Sequence, residues 1–154
     1  MKVATVLALM ETLRPGMVNS EARPVAEAIV ISCTKEGAWA GKDCAPVLVA
    51  IFWHESRFVS APTHRNKARG VGQTLPNVLV RWRGKTRRVP TGPELEKPEI
   101  GVRWALRVLE SKWARCDPVP LRLRCALRRY GGVKRSGKYE DEIYSKFVGL
   151  RRRR

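Results

Sequence analysis

A stretch without helical periodicity, Ser60 to Pro93, separates two parts of this chain in which apolar residues recur at helical spacing. The stretch is rich in Gly, Pro, Thr and Arg. Within it Val78, Val80 and Trp82 alternate before an Arg83-Gly84-Lys85 turn, which predicts a small basic hairpin. The sequence therefore predicts a mostly α domain with an irregular or hairpin-containing middle segment.

The helical parts on either side can be delimited from apolar spacing and helix-start signals. We expect helices over about 3–10, 22–33 and 43–58 before the break, with Asp43 as an N-cap, and three more from Pro98 onward. Because about 150 residues suffice for one buried core, residues 1–150 are expected to form one domain. Residues 151–154, four consecutive arginines, are expected to form a disordered basic tail.

The net charge of +17 is concentrated in the second part of the chain. Residues 1–60 contain six Lys/Arg and six Asp/Glu, whereas residues 61–154 contain 25 and eight. Such a field favours a polyanionic partner, which can be nucleic acid, an anionic membrane surface or an anionic cell wall. Charge alone does not choose among them.

The four cysteines, at positions 33, 44, 116 and 125, lack the close-pair spacing of a zinc site. Each pair flanks a predicted loop, so two local disulfides or four free thiols are both compatible with the sequence. His54 and His64 are the only histidines, and each is expected at the surface or at the edge of a cleft. We therefore predict no metal site and no cofactor.

Glu55 stands out because it follows Ile51 by four residues and Leu48 by seven, which places a carboxylate on the apolar face at the end of its helix. Partial burial and the negative end of the helix dipole are both expected to raise its pKa. A carboxylic acid that remains protonated near neutral pH can protonate a glycosidic oxygen. Glu55 is therefore the candidate catalytic acid.

Three segments together resemble the lytic transglycosylase branch of the lysozyme superfamily. Residues 51–58 match its Glu-Ser-x-Phe motif at a helix end, and residues 68–76 match its Ala-x-Gly-Leu-Met-Gln motif with the following Pro. Residues 126–132 and 139–144 are similar to its Ala-rich helix and its closing Tyr-containing helix. The resemblance covers roughly residues 22–148 and implies a lysozyme-like α+β fold with Glu55 as the single acid and base.

The resemblance also implies roles for the residues around Glu55. Ser56 should orient Glu55 or contact the sugar, Gln73 should line the cleft, and Tyr130 should approach the carboxylate. The turn from Gly70 to Gly72 should let main-chain groups approach the substrate closely. Two positions depart from the family pattern: Gly72 stands where Met is usual, and the Asn after the family's Tyr is missing at Tyr130.

The expected reaction depends on where acidic residues are absent. Ordinary glycosidases use two carboxylates, and residues 61–93 contain no Asp or Glu. A lone acid fits cleavage of the peptidoglycan glycan strand with closure of a 1,6-anhydro ring. Hydrolysis by a goose-type-like muramidase remains the alternative if Glu94, Glu96 or Glu99 folds back.

A third hypothesis is an inactive lysozyme-like protein that binds nucleic acid or an anionic surface. Trp82, Arg83, Arg87 and Arg88 would then form a stacking and phosphate surface. For the enzyme, the expected partners are peptidoglycan strands and, through the basic part, an anionic wall polymer or membrane; a monomer is expected.

The N-terminal apolar run ends early at Glu11 and Arg14, so a core helix is expected there rather than an export signal. The short length and the lack of a recognisable signal or wall-binding module suggest a bacteriophage lysis or virion enzyme. It would be made in the host cytoplasm and act on the cell wall, in the periplasm or outside the cell.

Overall fold

The chain folds into α-helices with one two-stranded antiparallel hairpin, which confirms the prediction of a mostly α domain with a hairpin in its middle segment. The structure is a computed structural model that describes residues 1–60, 67–117, 121–131 and 137–153. The elements are α1 Val3–Leu13, α2 Asn19–Lys35, α3 Cys44–Ser56, β1 Leu79–Trp82, β2 Lys85–Arg88, α4 Gly92–Leu95, α5 Pro98–Ala114, α6 Arg122–Gly131 and α7 Lys138–Arg152.

Helix α3 forms the centre of the main core, because it packs against α1, α2 and α7. All its residues from Cys44 to Phe52 are buried, so the helix is apolar on every side rather than on one face. The predicted apolar positions of α1 and α7 face this core as well: Val6 and Met10 in α1, and Ile143 and Phe147 in α7, are buried. The burial of α3 leaves only its C-terminal turn near solvent.

The hairpin pairs β1 with β2 from Leu79 opposite Arg88 to Trp82 opposite Lys85, with the Arg83-Gly84 turn that the sequence predicts. Strand β1 contacts α5, whereas all four residues of β2 are exposed. A second small core lies beneath it, formed by Val89, Leu95 and Trp104 with Val80 packed against them. Of the two strands, β1 is therefore the one that packs against the domain, and Arg83 in the turn adds an ion pair to Glu110.

Two disulfides close the end of the molecule at which α3 begins. Cys33 bonds to Cys44, and Cys116 bonds to Cys125. This settles the alternative that the sequence left open: the described part of the chain has no free cysteine.

Two local predictions need correction. Arg151 and Arg152 belong to α7, so they are not part of a disordered tail, and Arg151 lies with its Nε 3.2 Å from an Asp43 carboxylate oxygen. Asp43 does precede α3, but its side chain makes no capping hydrogen bond. Its carboxylate faces the guanidinium of Arg151, which reaches it from the last turn of α7.

Candidate active site

Glu55 is the second-to-last residue of α3 and is partly buried. Directly after Ser56 the chain turns back through two residues in the left-handed conformation, Arg57 with φ 55° and Phe58 with φ 68°. Non-glycine residues seldom adopt this conformation, which costs roughly 1 to 2 kcal/mol each. The helix therefore ends abruptly, and Glu55 is at the edge of the buried core.

The Glu55 carboxylate accepts a hydrogen bond from the hydroxyl of Tyr139, which donates to its Oε1 atom. Tyr139 lies in the first turn of α7, and its side chain is buried. The ring of His54 packs edge-on against that of Tyr139, with 4.8 Å between centroids. His54 Nδ1 lies 3.3 Å from the Glu142 carboxylate on the next turn of α7. The start of α7 thus fixes both polar residues at the end of α3.

A short loop is closed by paired backbone hydrogen bonds of 2.9 Å between Arg69 and Thr74. Two side chains hold its carbonyl groups from outside. Ser56 Oγ donates to Val71 O over 2.8 Å, and the Tyr130 hydroxyl donates to Gly72 O over 2.7 Å. Helices α3 and α6 therefore fix the loop's main chain relative to Glu55.

Tyr130 acts in this structure as a hydrogen-bond donor to the loop. Burial of its hydroxyl and, second, the charge of the Glu55 carboxylate raise the pKa of Tyr130 well above its usual value. The phenol therefore stays protonated at any physiological pH and keeps donating to Gly72 O.

The two glycines of the loop serve internal packing. A Cβ atom at Gly70, where φ is 74°, would lie 2.2 Å from the carbonyl oxygen of Leu95. A Cβ at Gly72 would lie 2.5 Å from the Ala105 Cβ and 3.0 Å from the Tyr130 hydroxyl oxygen. We expected these glycines to let the main chain approach the substrate. At both positions, however, the space that a Cβ atom would take is filled by other protein atoms. The Tyr130 contact also gives a physical reason why Met is excluded at position 72.

Gln73 also has a left-handed backbone, with φ 48°, and its Nε2 donates to Gly70 O over 3.0 Å. The carbonyl of Gly70 requires a donor, which fixes the amide orientation. Its Oε1 is consequently directed elsewhere, where it is buried without a hydrogen-bond partner among the described residues. In this structure the side chain of Gln73 therefore holds the loop through Gly70 O.

The structure thus brings Glu55, Ser56, Gly70, Gly72, Gln73 and Tyr130 into one region, although two roles differ from those expected. The hydroxyl of Ser56 is buried against Val71, so Ser56 positions the loop and is not exposed to a sugar. Tyr139, rather than Tyr130, donates the hydrogen bond to the carboxylate. Sequence reasoning placed Tyr139 only on the apolar face of the last helix, and its position in the closing segment of the resemblance was the one available signal.

Two of the three acidic residues that follow the loop have other partners. The exposed carboxylate of Glu94 caps α4 by accepting from the backbone and hydroxyl of Thr91, which lowers the pKa of Glu94. Glu96 lies 3.6 Å from Arg69. Glu99 is exposed in the first turn of α5. His64 lies outside the described residues.

The predicted stacking surface around Trp82 is not available as expected. Trp82 Nε1 donates to Glu110, and the guanidinium of Arg107 lies 4.4 Å from its ring centroid. Arg83 also binds Glu110, with Nε 3.0 Å from Oε1. Only Arg87 and Arg88 of the four predicted residues remain exposed without an ion pair among the described residues.

Comparison with protein-family models, with curated proteins and with solved structures finds no match. Within the described ranges, no helix has the length and apolar character required to cross a bilayer. The same ranges contain no group of three His, Cys, Asp or Glu side chains placed to hold a metal ion. The geometry around Glu55 is therefore the basis for any statement about function.

Proposed function

We propose that this protein has a lysozyme-like fold and is a peptidoglycan lytic transglycosylase that cleaves the β-1,4 bond between N-acetylmuramic acid and N-acetylglucosamine. The observation that carries the proposal is the carboxylate of Glu55 at the end of a buried helix, held by the Tyr139 hydroxyl. Beside it lies a loop whose carbonyl groups are fixed by Ser56 and Tyr130. An acid held in one geometry next to a rigid wall is what glycosidic protonation requires.

The reaction follows from one acid that acts twice. Glu55 donates its proton to the glycosidic oxygen, and the bond between that oxygen and C1 of the muramic sugar breaks. The substrate's own N-acetyl group stabilises the resulting cation. The C6 hydroxyl then bonds to C1 and returns its proton to Glu55, so the 1,6-anhydro product forms without water and the enzyme regains its starting state.

The composition of the segment that follows α3 favours this route over hydrolysis. A second carboxylate would have to stand roughly 5 to 9.5 Å from the first and be free to act on water or on the sugar. Residues 61–93 contain none, and Glu94 and Glu96 have helix-cap and arginine partners.

Action at the cell wall is part of the same proposal. Two disulfides favour an oxidising compartment such as the periplasm or the exterior. The excess positive charge of residues 61–154 would hold the enzyme on anionic wall polymers or on peptide carboxylates. A bacteriophage lysis or virion enzyme, acting as a monomer, fits this combination.

Product analysis tests the proposal. Purified sacculi would be digested with the wild type and with Glu55→Gln, and the released fragments examined by mass spectrometry. We expect anhydro-muramic ends from the wild type and none from the variant. Reducing ends would identify a hydrolytic muramidase instead. No release by either protein, together with steeply salt-dependent binding of DNA, would identify the inactive binding protein.

A further inference from the structure

The face of the hairpin that is directed away from the domain combines cationic and apolar side chains. Because Leu79 pairs with Arg88 and Arg81 pairs with Thr86, these four residues lie on one side of the two-stranded sheet. All four are exposed. We call them the outer hairpin face; the opposite side carries Val80 and Trp82, which are partly buried against the domain.

Positive charge on the hairpin is not balanced locally. Residues 79–88 contain five Arg or Lys and no Asp or Glu. Arg83 is paired with Glu110, but Arg81, Lys85, Arg87 and Arg88 have no ion pair among the described residues. An exposed edge strand often carries such charges to prevent pairing with another sheet, which accounts for the composition of β2.

That explanation leaves the exposed leucines unaccounted for. Leu79 is 64% exposed, and Leu75 and Val78, which precede it, are 52% and 40% exposed. Three of the eight large apolar side chains that are exposed in the described part of the chain therefore fall within five consecutive residues. A soluble polyanion would contact the arginines but would gain nothing from these apolar groups.

We propose that the outer hairpin face docks on an anionic lipid surface. Arg81 and Arg88 would bind the phosphate headgroups, while Leu79, which lies opposite Arg88 and two residues before Arg81, inserts shallowly at the boundary of the acyl chains. Cations and apolar side chains on one exposed surface match this interface in both charge and polarity. Leu79, Arg81 and Arg88 lie in β1 and β2, outside the loop and helices that surround Glu55, so the docking is proposed to be independent of catalysis.

Vesicle binding distinguishes lipid from other polyanions. The full chain would be sedimented with vesicles of phosphatidylglycerol and phosphatidylcholine, with vesicles of phosphatidylcholine alone, and titrated separately with soluble polyphosphate. We expect Leu79→Ser to weaken binding to the mixed vesicles by about tenfold, because the apolar area of one leucine is lost, and to leave polyphosphate binding unchanged. Arg81→Gln/Arg88→Gln should weaken binding to both anionic partners by about tenfold or more.

Two control variants match these changes elsewhere on the surface. Ile31→Ser removes an apolar side chain that is 46% exposed on α2, and Lys2→Gln/Lys35→Gln removes the same charge from exposed positions of the N-terminal helices. Both controls should bind the vesicles more tightly than the corresponding hairpin variants. Any of four results would overturn the proposal. Leu79→Ser could bind the mixed vesicles as well as the wild type does, or lose as much binding to polyphosphate as to vesicles. The wild type could bind vesicles of phosphatidylcholine alone equally well, or bind no vesicles.

Discussion

The two ends of α3 are held by different kinds of interaction. At the N-terminal end of α3, Cys44 is covalently bonded to Cys33. Asp43, just before the helix, faces Arg151, which lies in the last turn of α7. At the other end, about 18 Å away along the helix, the Glu55 carboxylate accepts a hydrogen bond from Tyr139 in the first turn of α7. The contacts described at the end proposed to carry the chemistry are non-covalent, whereas the opposite end carries a covalent cross-link in addition to a long-range ion pair.

This difference implies that the first end contributes stability and the second contributes activity. The hydrogen bonds near Glu55 fix the position of the last turn of α3. Trp53 Nε1 donates to Leu13 O over 2.7 Å, and Ser56 Oγ donates to Val71 O over 2.8 Å. Each joins the last turn of α3 to a different segment. Four sets of substitutions, given in order of decreasing expected effect, test this difference between the two ends of α3.

The largest effect is expected on replacing all four cysteines by serine, which removes Cys33–Cys44 and Cys116–Cys125. Each bond closes a short loop, of sequence separation 11 and 9, and loops of this size contribute roughly 3 kcal/mol apiece when they are closed. We expect the free energy of unfolding, measured in urea, to fall by about 5 kcal/mol. Below the new melting temperature the turnover of sacculi should persist; its complete loss would mean that the disulfide end also shapes the active site.

Gly70→Ala should be next, with a loss of about 3 kcal/mol or more in the free energy of unfolding. The added Cβ meets the Leu95 carbonyl oxygen, and the backbone has φ 74°. Gly16→Ala is a matched control because Gly16 has φ 75° with no atom within 4 Å of the added Cβ. The control should lose only the roughly 1 kcal/mol of left-handed strain. If Gly70→Ala and Gly16→Ala lost the same free energy of unfolding, the chain near Leu95 would shift at little cost to admit the added Cβ.

Tyr139→Phe should lower the rate of glycan cleavage by about tenfold to a hundredfold, because the carboxylate loses the group that orients it. The free energy of unfolding should change by only about 1 kcal/mol, as expected for a single hydrogen bond. Tyr144→Phe on the same helix is the control and should keep wild-type turnover. The pH profile of the rate should change with Tyr139→Phe alone; an unchanged rate and profile would remove Tyr139 from the account.

The smallest effect concerns the ion pair that joins the first turn of α7 to α6. Hydrogen bonds from Arg128 hold the pKa of the buried Glu140 carboxyl below its usual value. A pKa that is lower in the folded state stabilises the protein at pH values above the pKa of the unfolded state, which is about 4.3 for Glu. This stabilisation is lost as the pH falls through the pKa of the folded state. Thermal unfolding between neutral and acidic pH should therefore show a smaller acid-induced decrease in Glu140→Gln than in the wild type.

The helical elements could be predicted because they depend on local signals. Apolar spacing located α1, α2, α3, α5 and α7 and the alternation of Val78, Val80 and Trp82 located the hairpin, which the structure confirms. The position of Glu55 at a helix end likewise follows from local spacing. The sequence could not choose between disulfides and free thiols, since that depends on how closely the segments approach in space.

The partners of Glu55 could not be predicted with the same certainty, because they are set by long-range packing. Tyr139 is 84 residues from Glu55 and reaches it only because α7 packs against α3. The glycine at position 72 is explained only when Ala105 and Tyr130 are seen to fill the space of a side chain. A run of arginines is usually solvated, so the sequence predicts a tail at Arg151. The structure instead places Arg151 in α7, where it pairs with Asp43.

The rate at which Glu55→Gln releases glycan fragments from purified sacculi tests the central claim most directly. Glu27→Gln, which makes the same change on the exposed surface of α2, is the control. We predict that Glu55→Gln is slower than the wild type by about a thousandfold with an unchanged melting temperature, as loss of a general acid implies, while Glu27→Gln keeps the wild-type rate. Release by Glu55→Gln at the wild-type rate would contradict the account.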